Sequence, residues 1–401
     1  MTTEESLGRR LLIVLALLSA TAPVSIDLYL ASFPAVRDSL RTEASSVQLT
    51  LTAFLAGLAI GQIFWGPVAD RFGRLRPLLV GCAVSTVAAA AAVFAPTIEV
   101  LIAARFFQAL AGAAGVVICR AIVADRLHGF AAARAMSLLA SLTSIAPVLA
   151  PLFGGALAGH LSWRAILALV LALTVLQLVG VLTTVRESLP VERRSPRLSY
   201  RHLGALLRRP AYLGYATAAA FTFGMLMSFI STSSFVYQGV IGTSELVYGI
   251  GFAVNALGMM AGSLISVRLA GRRVPPANTV RAALAVATVG CASFLAVAAL
   301  PLPAWLLLVP LFVVISSVGF VMGNSGALVM EQSRDYAGSG SAVMGAMMFL
   351  FGGLVSPIGG LWGDQTAVPV AVVMLVCGSA AFTCIHLTHR ARRTAVAVPV
   401  A

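Results

Sequence analysis

The chain is 401 residues long, 59% hydrophobic and only 10% charged, with a formal net charge of +13. Soluble domains run to about a quarter charged residues, so this composition excludes a water-soluble globular chain and defines an integral membrane protein. Every basic residue is Arg and none is Lys, which also excludes a Gly-x-x-x-x-Gly-Lys nucleotide loop.

A bilayer core about 30 Å thick takes roughly 20 apolar residues at 1.5 Å each, because hydrocarbon offers nothing to an unpaired backbone N–H or C=O. Runs of that length predict spans over residues 10–33, 46–68, 77–95, 98–122, 134–157 and 163–185, then 211–236, 246–270, 280–300, 303–324, 339–362 and 367–388. The fold class is therefore all-α integral membrane with twelve transmembrane helices. Connections such as Ala95-Pro96-Thr97 and Leu300-Pro301-Leu302-Pro303 leave no room for a soluble domain. One long polar segment divides the spans six and six: an N-terminal bundle over 1–185, a cytoplasmic linker over 186–210 and a C-terminal bundle over 211–401. Residues 11–30 are long for the apolar core of a signal peptide and no small-x-small cleavage site follows them, so 1–10 reads as a short cytosolic tail.

Arg and Lys are held on the cytoplasmic side of a membrane. Along this twelve-span path only Arg37, Arg41 and Arg164 fall on one side, Arg105 and Arg120 lie inside spans, and the remaining Arg share the other side with both termini. Both termini are thus expected in the cytoplasm. The positive charge is accounted for by this topology and by anionic lipid, which leaves no call for nucleic acid as a partner. The five cysteines fall in spans at spacings that suggest no disulfide framework. Cys384-x-His386-x-x-His389 reads as a basic membrane-exit segment rather than a metal site, and no metal is expected.

The halves repeat weakly, as in transporters built from duplicated bundles. Gly66 to Arg74, "GPVADRFGR", follows span 2, and "GSLISVRLAGRR" (262–273) follows span 8 with the basic cluster kept and the Asp gone. "PLFGG" (151–155) in span 5 is echoed by "PIGG" (357–360) in span 11.

These residues resemble the major facilitator superfamily over essentially the whole chain, through the Gly-x-x-x-Asp-Arg-x-Gly-Arg loop, "RFFQALAGAAG" (105–115) in span 4 and "APVLAPLFGG" (146–155) in span 5. "SIDLYLASFP" (25–34), "CRAIVADR" (119–126) and "FISTSSFVYQGVIGTSELVYGIGFAVNALG" (229–258) are similar to the bicyclomycin/chloramphenicol resistance branch of drug:proton antiporters. Ala31 departs from that branch's usual Pro, and Ala150 from the Gly of the wider antiporter motif. The resemblance implies two pseudo-symmetric six-helix bundles in the bacterial cytoplasmic membrane and alternating access, with no enzyme activity. It also implies a proton gradient instead of a cofactor, with a drug, protons and membrane lipids as partners of a monomer.

Two readings of the charged loop stand side by side. It can simply turn the chain, with Gly66, Pro67 and Gly73 suited to a tight loop and its Arg residues anchoring the inner face. The resemblance implies more: Asp70 at the N-terminus of span 11, with Arg74 linking it to Asp125, as a latch that breaks in each cycle.

Charge deep in a bilayer is expensive, about 2.5–3.5 kcal/mol on insertion scales. Asp27 lies seven residues before Pro34, and Arg105 lies a similar distance into span 4, so both are expected about 10 Å below the outer edge, within reach of each other. An interhelical salt bridge is one reading. The other, for a proton-driven carrier, makes Asp27 the protonation site: burial favours its neutral form, a nearby Arg105 its anion, and conformation tips the balance. Gln108 could then hydrogen-bond substrate, while Arg120 snorkels or pairs with Asp125.

The spans that line a major facilitator cavity carry Tyr29, Met136, Phe223, Met225, Met227, Phe229, Tyr237, Asn255 and Asn324. Adaptable Met and flat aromatics suit apolar drugs, although helical packing uses the same residues. Pro147, Pro151, Gly154 and Gly155 permit bending and close approach in span 5, where the resemblance implies a seal against leak through the antiporter. Efflux of amphipathic drugs, amphenicols foremost, is the leading expectation. Proton-coupled uptake of a sugar or organic solute and a non-transporting sensor on the same fold are the alternatives.

Overall fold

The computed structural model describes residues 8–127, 129–195, 201–333, 337–360 and 366–397. Among them the chain is helical without strands: α1 Arg9–Leu30, α2 Phe33–Leu40, α3 Ala44–Phe72, α4 Leu75–Val93, α5 Ile98–Arg126, α6 Gly129–Ala158, α7 Trp163–Thr184, α8 Arg201–Leu206, α9 Pro210–Ser234, α10 Glu245–Gly271, α11 Pro276–Ala299, α12 Leu308–Gln332, α13 Ala337–Val355 and α14 Val368–Ala397. Eleven helices among the described residues are long and apolar enough to cross a bilayer, and α6 adds a shorter apolar stretch, Ile145–Ala158. α2 and α8, of 8 and 6 residues, are too short to cross.

The helices outrun the predicted spans where the sequence turns polar. The sequence suggests a loop from Gly66 onward, but α3 continues through Gly66 and Pro67 to Phe72. A proline removes one donor without ending a membrane helix whose neighbours pack around it. The turn falls to Gly73 alone, in the left-handed region at φ 88°, where a side chain would clash with its own backbone. α13 stops at Val355, short of the expected 362, and passes into a 3-10 turn over Ser356–Gly360 that contains Pro357.

The chain clusters into two compact units, Met1–Thr42 with Leu49–Ser199, and Glu43–Gln48 with Tyr200–Ala401. In the first, α5 is gripped through glycines. A Cβ on Gly57 of α3 would run into the Phe106 carbonyl, one on Gly61 would lie 2.7 Å from Leu110 O, and one on Gly81 of α4 would lie 2.8 Å from Ala111 O. These small residues let backbones meet, which is how membrane helices gain contact without a hydrophobic driving force.

The second unit repeats the device. Gly258 and Gly262 of α10 abut Ser316 of α12, and Gly319 of α12 abuts the Met259 carbonyl of α10. The pair Gly57-xxx-Gly61 thus has its counterpart in Gly258-xxx-Gly262, each on the second long helix of its unit. Around α9 a core of Tyr212, Tyr215, Leu284, Val321, Val329 and Ile385 closes the second unit.

Candidate functional site

Among the described residues Arg105 is the largest fully buried side chain, only 1% exposed. Its Nη1 donates to Gln108 Oε1 at 2.8 Å, one turn along α5, and its Nη2 donates to the Ser25 carbonyl of α1 at 2.9 Å. The guanidinium carbon lies 4.2 Å from the Phe54 ring centroid and 5.3 Å from that of Tyr29. Aromatic faces and carbonyl oxygens together stabilise a cation in a low-dielectric interior.

Asp27 is buried as well, 5% exposed. The expected meeting with Arg105 does not occur: among the described residues no ion pair joins them. Helix geometry explains why. Ser25 and Tyr29, four apart, share the α1 face that holds Arg105, whereas Asp27, two residues from each, points away from that face.

The neighbour of Asp27 is fixed from another side. A Cβ on Gly154 of α6 would lie 2.6 Å from Leu28 O, so α6 touches α1 backbone to backbone one residue from the carboxylate. Leu28, Ala150, Ile166 and Val170 form the apolar cluster around this contact. Pro151 and Gly155 are buried beside it and Pro147 is half-buried.

A polar seam runs behind Arg105. Gln177 of α7 donates to Thr21 Oγ1 at 2.5 Å and to Leu17 O at 3.0 Å, and Ser85 of α4 donates to the Gln108 carbonyl at 3.0 Å. Thr21, Ser25, Ser85, Gln108 and Gln177 border a cavity of about 20 Å³, the size of a single water site.

At the opposite end of the same unit, the structure brings together the three residues of the expected latch. Arg74 Nη1 lies 2.5 Å from Asp70 Oδ1 and its Nε lies 2.9 Å from Asp125 Oδ2. The Arg74 and Asp125 side chains are 9% and 18% exposed while that of Asp70 is 56% exposed, so the Asp125 bond carries more of the attraction. Arg120 is exposed and leaves Asp125 to Arg74 and Ser188.

In the second unit, Phe229 and Tyr237 belong to one aromatic group that the amide of Asn255 joins by a hydrogen bond. Asn255 Nδ2 donates to Tyr237 Oη at 3.1 Å, Tyr237 packs edge-on to Tyr248, and Phe252 lies between Tyr248 and Phe229. Tyr237 sits on a π-helical turn, Phe235–Val240, a conformation often found at functional sites. The other residues of this unit expected to contact substrate make contacts within it. Met225 Sδ lies 3.7 Å from Cys291 Sγ, Met227 and Phe223 seat against Gly352, and Phe223 also packs on Phe349. Asn324 donates to Ser266 Oγ at 2.5 Å and to Phe320 O at 2.7 Å, joining α12 to α10. Met136 is half-buried in α6.

Sequence reasoning missed Ser25, Phe54 and Gln177. A lone Gln in the apolar span 6 was the available signal, since polar groups in a span seldom lack a partner. Nothing in the sequence distinguishes Phe54 from the other 19 Phe.

Two compact units, each seamed by glycines and together carrying eleven helices long and apolar enough to cross a bilayer among the described residues, define a polytopic membrane protein, and the family and relatives it matches are transporters and not enzymes. The chain belongs to the Major Facilitator Superfamily, whose model matches residues 15–357. It is 35% identical over 377 residues to the uncharacterized MFS-type transporter YdgK of Bacillus subtilis (strain 168), covering 92% of this chain and 93% of that protein. It is 29% identical over 369 residues to a bicyclomycin resistance protein homolog of Haemophilus influenzae, covering 91% and 92%. Among solved structures, a variant of the nucleoside transporter NupG superimposes with TM-score 0.73 at 13% identity, over 95% of this chain and 98% of that one.

Proposed function

We propose that this carrier exports amphipathic drugs from the cytoplasm in exchange for entering protons, by alternating access, with amphenicols of the chloramphenicol type as the favoured substrates. The linker side and both termini face the cytoplasm of a bacterial inner membrane, and the working unit is the monomer in lipid. The single observation that carries the reading is the separation of Asp27 from Arg105. A buried carboxylate locked in an ion pair would stay ionised, whereas one on another face of α1 is free to take up and release a proton. Similarity to a protein named for bicyclomycin resistance supports drugs as the cargo.

Arg105 holds the field at this depth constant while Asp27 changes charge, and Tyr29 and Gln108 present an aromatic face and an amide beside it. The aromatic group of Phe229 and Tyr237, with the Asn255 amide, offers the same chemistry in the second unit. The Asp70–Arg74–Asp125 cluster acts as the latch of one conformational state. One proton descending about 150 mV yields roughly 3.5 kcal/mol, enough to hold a neutral drug about 300-fold lower inside. The test is coupled flux in proteoliposomes carrying an internal pH dye, with chloramphenicol added across an imposed pH gradient. Proton movement that follows the drug and disappears in Asp27→Asn is the expected result. Drug binding without any linked proton movement in the unaltered chain overturns the proposal.

A further inference from the structure

The beginning of the central polar segment is no slack tether. Glu187 Oε1 accepts the backbone N–H of Arg74 at 2.8 Å, and Oε2 accepts that of Leu75 at 3.3 Å. These are orphan donors at the N-terminus of α4, where an anion is favoured. The same carboxylate accepts the N–H groups of Ser188 and Leu189 at 3.0 Å each and lies 3.7 Å from the Arg194 guanidinium. Ser188 Oγ donates to Asp125 Oδ2 at 2.9 Å, the oxygen that also receives Arg74 Nε. Ser195 N–H donates to the Asp70 carbonyl at 2.8 Å, and Arg126 Nη2 donates to the Arg186 carbonyl at 3.0 Å.

Gly73 completes the fit. A Cβ there would run into Glu187 Oε2 and come within 2.9 Å of Arg194 Nη2, so the turn is glycine both for its φ and for the carboxylate lying against it. Partial burial pushes the Glu187 carboxyl up, but the N–H groups of Leu189, Arg74, Leu75 and Ser188 outweigh it and hold it below the usual carboxylate range. It is therefore an anion at neutral pH.

We infer that residues 186–195 form a strap which positions Arg74 for its bonds to Asp70 and Asp125, so that the linker and the charge cluster change state together. Glu187 is a positioning residue: it fixes the backbone from which the Arg74 side chain springs. Ser188 closes the loop by sharing the acceptor of Arg74. When Arg74 leaves Asp125, Ser188 loses its geometry too, and the linker is released on the same stroke. The strap itself is read from contacts within the first unit, and its part in transport rests on the proposed antiport.

Two readouts separate these layers. The first needs no transport: limited trypsin digestion of the purified full chain in lipid nanodiscs, with cuts after Arg193 and Arg194 assigned by mass spectrometry. Glu187→Gln and Ser188→Ala are expected to speed this cut about five-fold, the yield of one hydrogen bond. Arg74→Lys and Asp125→Asn, which leave the linker sequence intact, should do the same. The second is drug-driven proton flux, where Glu187→Gln should lower the maximal rate about five-fold with half-saturation within about two-fold, and add less than about 1.5-fold in the Arg74→Lys background. Glu187→Asp should recover part of the rate. A cut rate indifferent to Arg74→Lys and Asp125→Asn, or flux losses that multiply in the double variant, overturns the strap. Cleavage that responds as expected in a protein that moves no protons supports the strap and sinks the antiport reading alone.

Discussion

Gly154→Ala adds one methyl group at the point where α6 meets α1. The new Cβ would sit 2.6 Å from Leu28 O, 3.2 Å from its carbonyl carbon and 3.3 Å from its Cα. Ordinary contact begins near 3.4 Å, so the helices must part by about 0.8 Å along that vector, and no rotamer can relieve the clash because all three atoms are backbone. Overpacking of this kind costs about 1–3 kcal/mol, a fall of about 2–12 °C in melting temperature for a bundle of this size. The assay is thermal unfolding in mild detergent followed by size exclusion, with Gly66→Ala as control, since no atom lies within 4 Å of a Cβ at Gly66. Displacing Leu28 also moves Asp27, so under the proposed antiport drug-linked proton flux should fall alongside stability. A Gly154→Ala protein that melts within about 1 °C of the unaltered chain, too small a change for overpacking strain, would refute the backbone contact.

Arg105→Lys is expected to cut transport at least about ten-fold in a folded protein, because a point charge cannot serve Ser25 O, Gln108 Oε1 and two ring faces as the planar fork does; flux in vesicles checks it. Tyr237→Phe removes the acceptor of Asn255 Nδ2, which keeps its 3.0 Å bond to Gly251 O, so the loss should stay near 0.5–1.5 kcal/mol, about one hydrogen bond, by thermal unfolding. Gly251→Ala should do more harm, since its Cβ would run into the Tyr237 ring. The depressed Glu187 carboxyl contributes stability above its unfolded pKa and loses it as pH falls through the folded value. Amide-exchange protection of 186–195, corrected for intrinsic rates, should therefore be flat from about pH 8 to about pH 5 and decline only below about pH 4.

The span pattern was legible because hydrocarbon thickness imposes a length on every apolar run, whereas the grouping of Asp70, Arg74 and Asp125 came from the resemblance of "GPVADRFGR" and "CRAIVADR" to motifs of a known family. What the sequence concealed depended on facing and on single bonds. Asp27 and Arg105 match in depth, yet depth says nothing about which side of α1 each occupies, and a two-residue offset from Ser25 decides it. Gly57-xxx-Gly61 and Gly258-xxx-Gly262 were visible as small residues four apart, but only the packed helices show that both pairs grip an equivalent partner. Glu187 stood as an acid in an Arg-rich segment, and its meeting with Gly73 spans more than 100 residues of chain. The π turn at Phe235–Val240 left no compositional mark, since its i→i+5 bonds use ordinary residues.

The glycine contacts around α5 and α1 also bear on how such a protein can evolve. With Gly57, Gly61, Gly81 and Gly154 all meeting backbone or Cβ atoms, the frame of the first unit has no slack to widen or narrow by substitution. Selection by a new compound is thereby channelled toward side chains away from these backbone contacts, which can change size without moving a helix. Adaptation then proceeds by re-upholstering a fixed chassis, and the first variants with altered cargo should leave the seams untouched.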